Sequence, residues 1–287
     1  MSITERVKDP DTTRVPSRRT WLRSNAASWF ALIGGRPRAE AAAKLAWRAP
    51  LRLGIGGLLV LALLAGTMNT FDAWAITQAQ RLPLWLARLF DEVSDFGKSG
   101  WILVPTGVAL LAIAALASPA LPRMSRLVLM AVSVRIGFIF LAVGLPGLAV
   151  TVVKRLIGRA RPLVGGSDDP FHYLPFGWSV EHASLPSGHA TTAFAAAVAI
   201  GAIWPRARAV MWTYAVLVAV SRVVLTAHYP SDVIAGAIVG IVGALLVRDW
   251  FAASRLGFVI APDGRVRILP GPSLRRIKEV AVRLLRA

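Results

Sequence analysis

No cysteine occurs anywhere in the sequence, and histidine occurs only four times. The absence of cysteine excludes disulfides, thiolate metal sites and a cysteine nucleophile. A metal site built from histidines alone would need nearly all of those present. Charged residues are scarce as well, at 17% of the chain, whereas soluble proteins average about 25%. The sequence is therefore unlike that of a disulfide-rich secreted domain, a cysteine enzyme or an ordinary soluble protein.

Apolar residues, in contrast, are abundant, and they lie in long blocks rather than on periodic faces. They make up 55% of the chain. A helix that spans a bilayer needs roughly 20 predominantly apolar residues. Six blocks approach this length, of which the alanine-rich fourth is the weakest: 53–71, 101–120, 127–153, 188–204, 210–227 and 233–247. The pattern predicts an all-α integral membrane protein with a bundle of six transmembrane helices.

The formal net charge of +18 is concentrated at the two ends of the chain. Residues 1–52 contain eleven Lys or Arg against four Asp or Glu, and residues 248–287 contain nine against three. Because six spans leave both ends on one side, the positive-inside rule places both termini in the cytoplasm. This charge distribution orients a membrane protein, so no nucleic-acid partner is expected. Ala/Arg-rich usage favours a bacterial cytoplasmic (inner) membrane.

These observations divide the chain into three parts. We expect a basic cytoplasmic segment at 1–50, a six-span domain at 51–250 and a basic cytoplasmic tail at 251–287. The polar start is unlike a cleaved signal peptide, so the first span should act as an uncleaved anchor, and 21–33 is expected to touch the membrane. A hairpin is predicted within 256–269. Residues 273–287 predict a basic amphipathic helix on the inner leaflet, or else a solvated tail.

The loop 72–100 contains a possible amphipathic helix around Leu82–Phe90. Its apolar residues either lie in the membrane interface or cover the protein core. Both alternatives place the segment on the outer side of the bundle, between the first and second predicted spans.

One basic cluster contradicts the positive-inside rule because it follows the third span and falls on the outer side. It contains Lys154, Arg155, Arg159 and Arg161, and nearby acidic residues could simply balance it. Lys154 and Arg161 are seven positions apart, so they share a helical face if the helix continues, and we expect Pro162 to end it. Two cations on one face could converge on a phosphate group.

A second outer segment, Ser187-Gly188-His189, directly precedes the fourth span. A serine followed by glycine and an apolar run is typical of a helix N-terminus. The free backbone N–H groups and the positive end of the helix dipole attract anions there. The segment is either an ordinary capping motif or an anion site with His189 in its first turn.

A third outer segment joins the fifth and sixth spans. Arg222 lies within the fifth span, roughly 9 Å below His228 if the helix is regular. A buried arginine in a membrane requires an anionic partner. Asp232, four residues after His228, could accept the Nδ1 proton and leave Nε2 free to attack. A snorkelling arginine and a structural His–Asp pair are the alternative.

Taken together, the three outer segments provide cations, a helix N-terminus, two histidines and an orienting carboxylate, which is what a phosphoryl-transfer centre requires. They resemble the type 2 phosphatidic acid phosphatase (PAP2) superfamily, whose signature is Lys-x6-Arg-Pro, Pro-Ser-Gly-His and Ser-Arg-x5-His-x3-Asp. Every fixed position is matched in order: Lys154, Arg161, Pro162, Pro186, Ser187, Gly188, His189, Ser221, Arg222, His228 and Asp232.

The resemblance implies a role for each of these residues. His228 would attack phosphorus and form a phosphohistidine, with Asp232 holding its ring. His189 would protonate the leaving oxygen and then activate water. The phosphoryl oxygens would be bound by the remaining polar residues of the signature: Lys154, Arg161, Ser187, the Gly188 amide and Arg222. No metal or cofactor is implied.

The expected substrate is a lipid phosphate or diphosphate drawn from the membrane lipids. Undecaprenyl diphosphate, phosphatidylglycerophosphate, phosphatidic acid and lipid A phosphates are all compatible with the sequence. A phosphotransferase that uses the same intermediate is the nearest alternative. An anion transporter would require charged residues in several spans, of which only Arg135 and Arg222 qualify, and a lipid-phosphate-binding scaffold would not need the two histidines.

Overall fold

The computed structural model describes residues 50–118, 120–166 and 169–286, together with Arg23 and Ala27. Apart from Arg23, Ala27 and Pro50, the predicted segment 1–50 lies outside these residues, and with it the rest of the stretch 21–33. The described part forms nine α-helices and one two-stranded sheet. The helices are α1 (Pro50–Thr70), α2 (Asp72–Gln80), α3 (Leu84–Asp95), α4 (Gly100–Leu116), α5 (Arg123–Ile157), α6 (Gly188–Ile203), α7 (Arg208–Val224), α8 (Pro230–Ala253) and α9 (Leu274–Arg286).

Every predicted span coincides with one of these helices. Five stretches are long and apolar enough to cross a membrane: α1, the α3–α4 stretch, α5, a stretch containing α7, and α8. Helix α6 is apolar but has only 16 residues, or about 24 Å of rise. The helical membrane fold is therefore confirmed, with a fourth span that is shorter than a bilayer-crossing helix requires.

Helix α6 is largely surrounded by protein. It packs against α5, α7 and α8, and most of its residues are buried. A Cβ on Gly236 would lie 2.4 Å from the Ser187 carbonyl oxygen, and one on Gly240 would lie 2.4 Å from that of Thr191. Such small residues let membrane helices approach closely. This contact places the N-terminus of α6 directly against α8.

The loop 72–100 contains two helices rather than one. Helix α2 packs on α7 and α8, and α3 packs on α7. The amphipathic helix predicted here is α3, and the side chains of Leu84, Trp85 and Leu89 are more than half exposed. This exposure favours the interfacial position over a core-covering one. Ser94, at the end of α3, is instead buried.

The C-terminal part contains the predicted hairpin. Strands β1 (Phe258–Ile260) and β2 (Val266–Ile268) pair antiparallel, with Phe258 opposite Ile268. Phe258 packs on Phe138 of α5, with ring centroids 4.8 Å apart. The sheet is therefore attached to the helical bundle, and the fold is all-α apart from these two strands.

The amphipathic helix predicted at the C-terminus is α9, but protein covers much of its apolar face. Val280 is buried with Val128 and Leu129 of α5, and Ile277 and Leu284 pack against the same cluster. Neither alternative, an apolar face on the inner leaflet or a freely solvated tail, therefore describes Ile277, Val280 and Leu284. The helix docks on α5 because the apolar residues fall on one side of it.

Candidate active site

The structure brings the predicted site residues together at one end of the bundle. They lie at the end of α5, the start of α6, the end of α7 and the start of α8, or in the loops that join these helices. The positive charges of Lys154, Arg161 and Arg222 all act on His189, and so does His228. Residues separated by up to 78 positions thus form one cluster.

The end of α5 differs from the prediction. The helix ends at Ile157, and Gly158 follows in the left-handed conformation with φ of 66°. A Cβ on Gly158 would lie 1.8 Å from the Leu174 carbonyl oxygen, so this position requires glycine. The expectation that Pro162 ends the helix was wrong. Arg161 reaches the site from a loop, where its backbone N–H donates to the Glu181 carbonyl at 2.7 Å.

The start of α6 is positioned by α8. The Ser187 backbone N–H donates to the Asp232 carbonyl at 2.9 Å, and His189 falls in the first turn as predicted. A Cβ on Gly188 would lie 3.8 Å from Nζ of Lys154, so that ammonium group lies over the helix N-terminus. Ser187 occupies the N-cap position, but its side chain forms no capping hydrogen bond. The side chain is thus not used to end the helix.

The α7–α8 connection folds back on itself. Helix α7 ends at Val224, and the backbone N–H groups of Ala227 and His228 both donate to the Arg222 carbonyl, at 3.0 and 3.2 Å. The expected axial separation of about 9 Å assumed a helix continuing to His228, and it was wrong. The turn instead brings the backbone of His228 next to that of Arg222.

His228 and Asp232 form a buried pair. Nδ1 of His228 lies 3.6 Å from Oδ2 of Asp232 and 3.4 Å from Oγ of Ser184. Ser184 donates to the same Oδ2 at 2.5 Å, and the Tyr229 backbone N–H donates to it at 3.0 Å. Burial lowers the pKa of His228, and the negative charge of Asp232 only partly opposes this. The imidazole is therefore neutral near pH 7, which leaves a nitrogen lone pair available for attack.

Three predicted phosphate-binding residues carry buried polar atoms without a hydrogen-bond partner. Across the ranges that the structure describes, only four buried side-chain nitrogen or oxygen atoms are in this condition. Three of them are Arg161 Nε, Ser187 Oγ and Arg222 Nε, and the fourth is Ser254 Oγ. Buried polar groups are nearly always paired. Unpaired atoms on three separate segments of one cluster indicate that these side chains are directed at a ligand.

The charges of the cluster favour an anion. Arg161 interacts with Asp232 but also with the like charge of Arg155, and burial lowers its pKa. A guanidinium nevertheless remains charged at any physiological pH. Cations that converge in a partly buried site repel one another unless an anion lies among them. A phosphoryl group, with three oxygens, suits this arrangement.

Sequence reasoning did not predict that the α3–α4 corner lies against the site. This corner consists of the end of α3 and the turn that leads into α4, residues 94–99. Arg222 Nη1 donates to Ser94 Oγ. A Cβ on Gly97 would lie 2.9 Å from Cδ2 of His189 and 2.6 Å from Val218. Nothing in the local pattern of the loop pointed to this contact, because it depends on how α3 packs on α7. Lys98, in the same corner, pairs with Asp95 at the surface.

Sequence reasoning also missed two buried charged residues behind the site. Arg159 was noted only as part of a basic cluster, and Asp72 was not singled out. Both are fully buried, and Arg159 forms ion pairs with Asp72 and with Asp232. The burial of these charges is visible only in the folded structure. The sequence contained one signal of it: three arginines lie within seven residues, at 155, 159 and 161, so one of them could form an ion pair inside the protein.

Sequence comparisons match this part of the chain to known proteins. The family model of the PAP2 superfamily matches residues 135–256, which contain all of the predicted site residues. A lipid A 1-phosphatase of Rhizobium johnstonii is 34% identical over 222 residues, or 77% of this chain and 87% of that protein. A lipid A 1-phosphatase of Rhizobium etli is also 34% identical over 222 residues, or 77% of this chain and 91% of that protein.

Two solved structures also align with the chain. The crystal structure of Aquifex aeolicus LpxE aligns with 62% of this chain and 94% of its own, at 21% identity and a TM-score of 0.45. The crystal structure of a transmembrane PAP2-type phosphatidylglycerolphosphate phosphatase from Bacillus subtilis aligns with 66% of this chain and 90% of its own, at 22% identity and a TM-score of 0.46.

Proposed function

Because the chain belongs to the PAP2 superfamily and is a membrane lipid phosphatase, we propose that its substrate is the 1-phosphate of lipid A. Both Rhizobium relatives bear the name lipid A 1-phosphatase, and each aligns with 77% of the chain. The sequence alone left four classes of lipid phosphate open. The names of these relatives favour lipid A over undecaprenyl diphosphate, phosphatidylglycerophosphate and phosphatidic acid.

The observation that carries the catalytic part of the proposal is the set of unpaired donors around two histidines. Arg161 Nε, Ser187 Oγ and Arg222 Nε are buried without partners, and their residues surround His189 and His228. A phosphoryl group in this place would accept hydrogen bonds from all three side chains and from the N-terminus of α6. Lys154, above Gly188, would add a further positive charge.

In the first step, Nε2 of His228 attacks phosphorus, and the bond between phosphorus and the lipid oxygen breaks. His189, which must be protonated for this step, gives that proton to the lipid oxygen and becomes neutral, so the lipid leaves as an alcohol and the phosphoryl group remains on His228. The negative charge of the phosphoryl group beside His189 favours the protonated imidazole before the transfer. The imidazole of His228 becomes positively charged as the new bond forms. Asp232, next to Nδ1, stabilises this charge and keeps the ring oriented.

In the second step, His189 takes a proton from water, and the resulting hydroxide attacks the phosphoryl group. The bond between phosphorus and Nε2 breaks, inorganic phosphate is released, and His228 regains its lone pair. The cations neutralise the charge on the three equatorial oxygens in both transition states. Every group used is a side chain or backbone amide of this chain, so we expect the reaction to need no metal or cofactor.

A phosphate-release assay tests the proposal. The protein, purified in detergent with EDTA, is compared with His228→Ala on lipid A and on the other three lipid phosphates. We expect release from lipid A at the 1-position, reduced at least about 10³-fold in the variant. Release from another lipid only would contradict the proposed substrate. Transfer of labelled phosphate to an acceptor lipid, without free phosphate, would identify a phosphotransferase instead.

We further propose that the site faces the periplasm and that both termini are cytoplasmic, with 1–50 and 251–287 flanking the six-span domain 51–250. The basic ends support this orientation. Arg206, in the α6–α7 connection, and Arg208, the first residue of α7, also support it, because they lie at the opposite end of the bundle from the site. Because the chain lacks cysteine, single introduced cysteines report without background. In intact cells, a membrane-impermeant maleimide should label Ser179→Cys and spare Arg206→Cys. The reverse pattern would overturn the orientation.

A further inference from the structure

We propose that Asp72 and Arg159, which occupy no fixed position of the PAP2 signature, form a positioning pair that holds Asp232, and through it His228, in the orientation required for attack. The inference rests on the proposed function, since it concerns the same phosphoryl-transfer reaction. It assigns a role in that reaction to α2, a short helix that lies outside the matched family segment at 135–256.

Arg159 is fully buried and saturated with acceptors. Nη1 donates to Oδ1 of Asp232 at 2.6 Å, Nη2 donates to Oδ2 of Asp72 at 2.8 Å, and Nε donates to the Pro170 carbonyl at 2.9 Å. The guanidinium carbon also lies 4.4 Å from the centre of the Tyr229 ring. Burial alone would lower the pKa of Arg159, but the charges of Asp232 and Asp72 raise it above the ordinary value. The guanidinium is therefore a fixed positive charge between two carboxylates.

Asp72 holds both Arg159 and the N-terminus of α8. Its Oδ1 accepts the Ser231 backbone N–H at 2.9 Å, and its Oδ2 accepts Ser231 Oγ at 2.5 Å as well as Arg159. Its side chain is fully buried. Because Ser231 directly precedes Asp232, Asp72 fixes the backbone from which the catalytic carboxylate projects.

The two oxygens of Asp232 therefore have separate partners. Oδ1 accepts Arg159, whereas Oδ2 faces His228 and accepts Ser184 Oγ and the Tyr229 N–H. With Oδ1 held, the carboxylate cannot rotate away from the imidazole. Displacing a catalytic group by 1 Å can lower the reaction rate about 10²-fold. Arg159, which holds Oδ1, therefore supports a high rate by keeping the carboxylate of Asp232 in place.

The second carboxylate also matters for the charge. Arg159 paired with Asp232 alone would cancel the negative charge that should stabilise the imidazolium of phosphorylated His228. Because Arg159 is shared with Asp72, the three groups together keep one net negative charge beside His228. Asp72 thus lets Asp232 be held by a cation without losing its electrostatic effect on the ring.

A purely structural role would be the alternative, since breaking any buried ion pair destabilises a protein. The chain provides a matched control in Asp249, which is also fully buried and pairs with Arg248 at 2.8 Å. Asp249 lies on the same helix, 17 positions after Asp232, which is about 26 Å of rise. Asp72→Asn and Asp249→Asn therefore remove the same charge from two fully buried carboxylates, one of which pairs with a residue that contacts Asp232.

The experiment measures kcat and KM of the full-length variants in detergent, per folded protein, on p-nitrophenyl phosphate and on lipid A. We expect Asp72→Asn to lower kcat on the order of 10²-fold with little change in KM, and Asp249→Asn to stay within about twofold of wild type. Arg159→Lys keeps the charge but cannot bridge two carboxylates, so its kcat should fall between those of wild type and Arg159→Gln.

Equal kcat values for Asp72→Asn, Asp249→Asn and wild type would overturn the positioning pair. Should Asp72→Asn not fold, Ser231→Ala removes one donor to Asp72 and one acceptor of Arg159 without unpairing a charge, and an unchanged kcat in that variant would likewise overturn the positioning pair. The soluble ester reports on the phosphoryl site alone. A wild type that hydrolyses the ester and spares lipid A would therefore contradict the proposed substrate while leaving the comparison of variants valid.

Discussion

The two ends of the helical bundle are both basic in sequence, yet they use their charges differently. At the end that holds the site, Arg159, Asp72 and Asp232 are fully buried, and Arg161 and Arg222 carry unpaired buried nitrogens. At the opposite end, where α6 meets α7 and α9 lies on α5, Arg206, Arg275 and Arg276 are exposed. The net charge of a region therefore says little about function, whereas the burial and pairing of its cations say much.

The same contrast holds for the arginines that enter helices. Arg135 of α5 donates to the carbonyl of Ala131 in the same helix and to that of Leu269, the residue after strand β2. Arg222 of α7 donates from Nη1 to Ser94 but leaves Nε unpaired. Both residues interrupt apolar spans in the sequence. Of the two, only Arg222 has a buried, unpaired nitrogen that can donate to a ligand.

The largest expected difference between the two ends is in catalysis. Arg161→Gln removes a charged donor from the proposed transition-state site, so kcat/KM should fall by about 10² to 10³-fold. Arg206→Gln removes an exposed cation from the opposite end and should leave kcat/KM within about twofold. Steady-state assays with both variants test this. Equal losses of kcat/KM in the two variants would show that the net charge of the protein, and not the position of the arginine, determines the rate.

A smaller effect is expected at the α3–α4 corner. The methyl group of Gly97→Ala would contact the ring of His189 and the side chain of Val218, so the imidazole of His189, the proposed acid–base group, would be displaced. We expect kcat to fall about 10-fold. The matched control is Gly100→Ala, three residues later, where an added Cβ meets no atom within 4 Å. Full activity in Gly97→Ala would show that the corner does not support His189.

The next prediction concerns pH. A protonated imidazole cannot attack, and burial lowers the pKa of His228 from the ordinary value of about 6.5. Activity should therefore persist as the pH falls through 6.5, and the acid limb of kcat/KM should lie below that value. Arg248→Gln, at the other end of α8, should leave the profile unchanged. Half-maximal loss above pH 6.5 in the wild type would contradict a neutral buried nucleophile.

The smallest catalytic effect is expected from α9. Val280 is buried against α5, so Val280→Ala should destabilise the docked helix by roughly 1–3 kcal/mol. The kcat of the folded protein should not change, because the contact lies far from the site. Val282→Ala, on the exposed side of the helix, is the control. Thermal unfolding in detergent measures stability, and phosphate release measures kcat. A loss of kcat in Val280→Ala would mean that the docking of α9 affects the site at the opposite end of the bundle.

Much of the bundle was predictable because the apolar blocks are long, as a bilayer demands. The boundaries were harder to predict. The end of α5 was placed at Pro162, although the helix ends at Ile157, before Gly158, where the close approach of the Leu174 carbonyl requires a glycine. The expectation for Arg222 and His228 assumed a regular helix, whereas the chain turns after Val224. Local breaks of this kind depend on long-range contacts that periodicity does not contain.

The sequence by itself determined the membrane class, the six apolar segments and the eight predicted site residues, because hydrophobicity and a three-part signature are local properties of the chain. Only the tertiary structure decided that Asp72 and Arg159 stand behind Asp232, that Gly97 lies on His189, and that α9 docks on α5. Each of these contacts joins residues that are far apart in sequence. Burial and hydrogen bonding between such residues depend on how helices pack, and packing follows from all the side chains together.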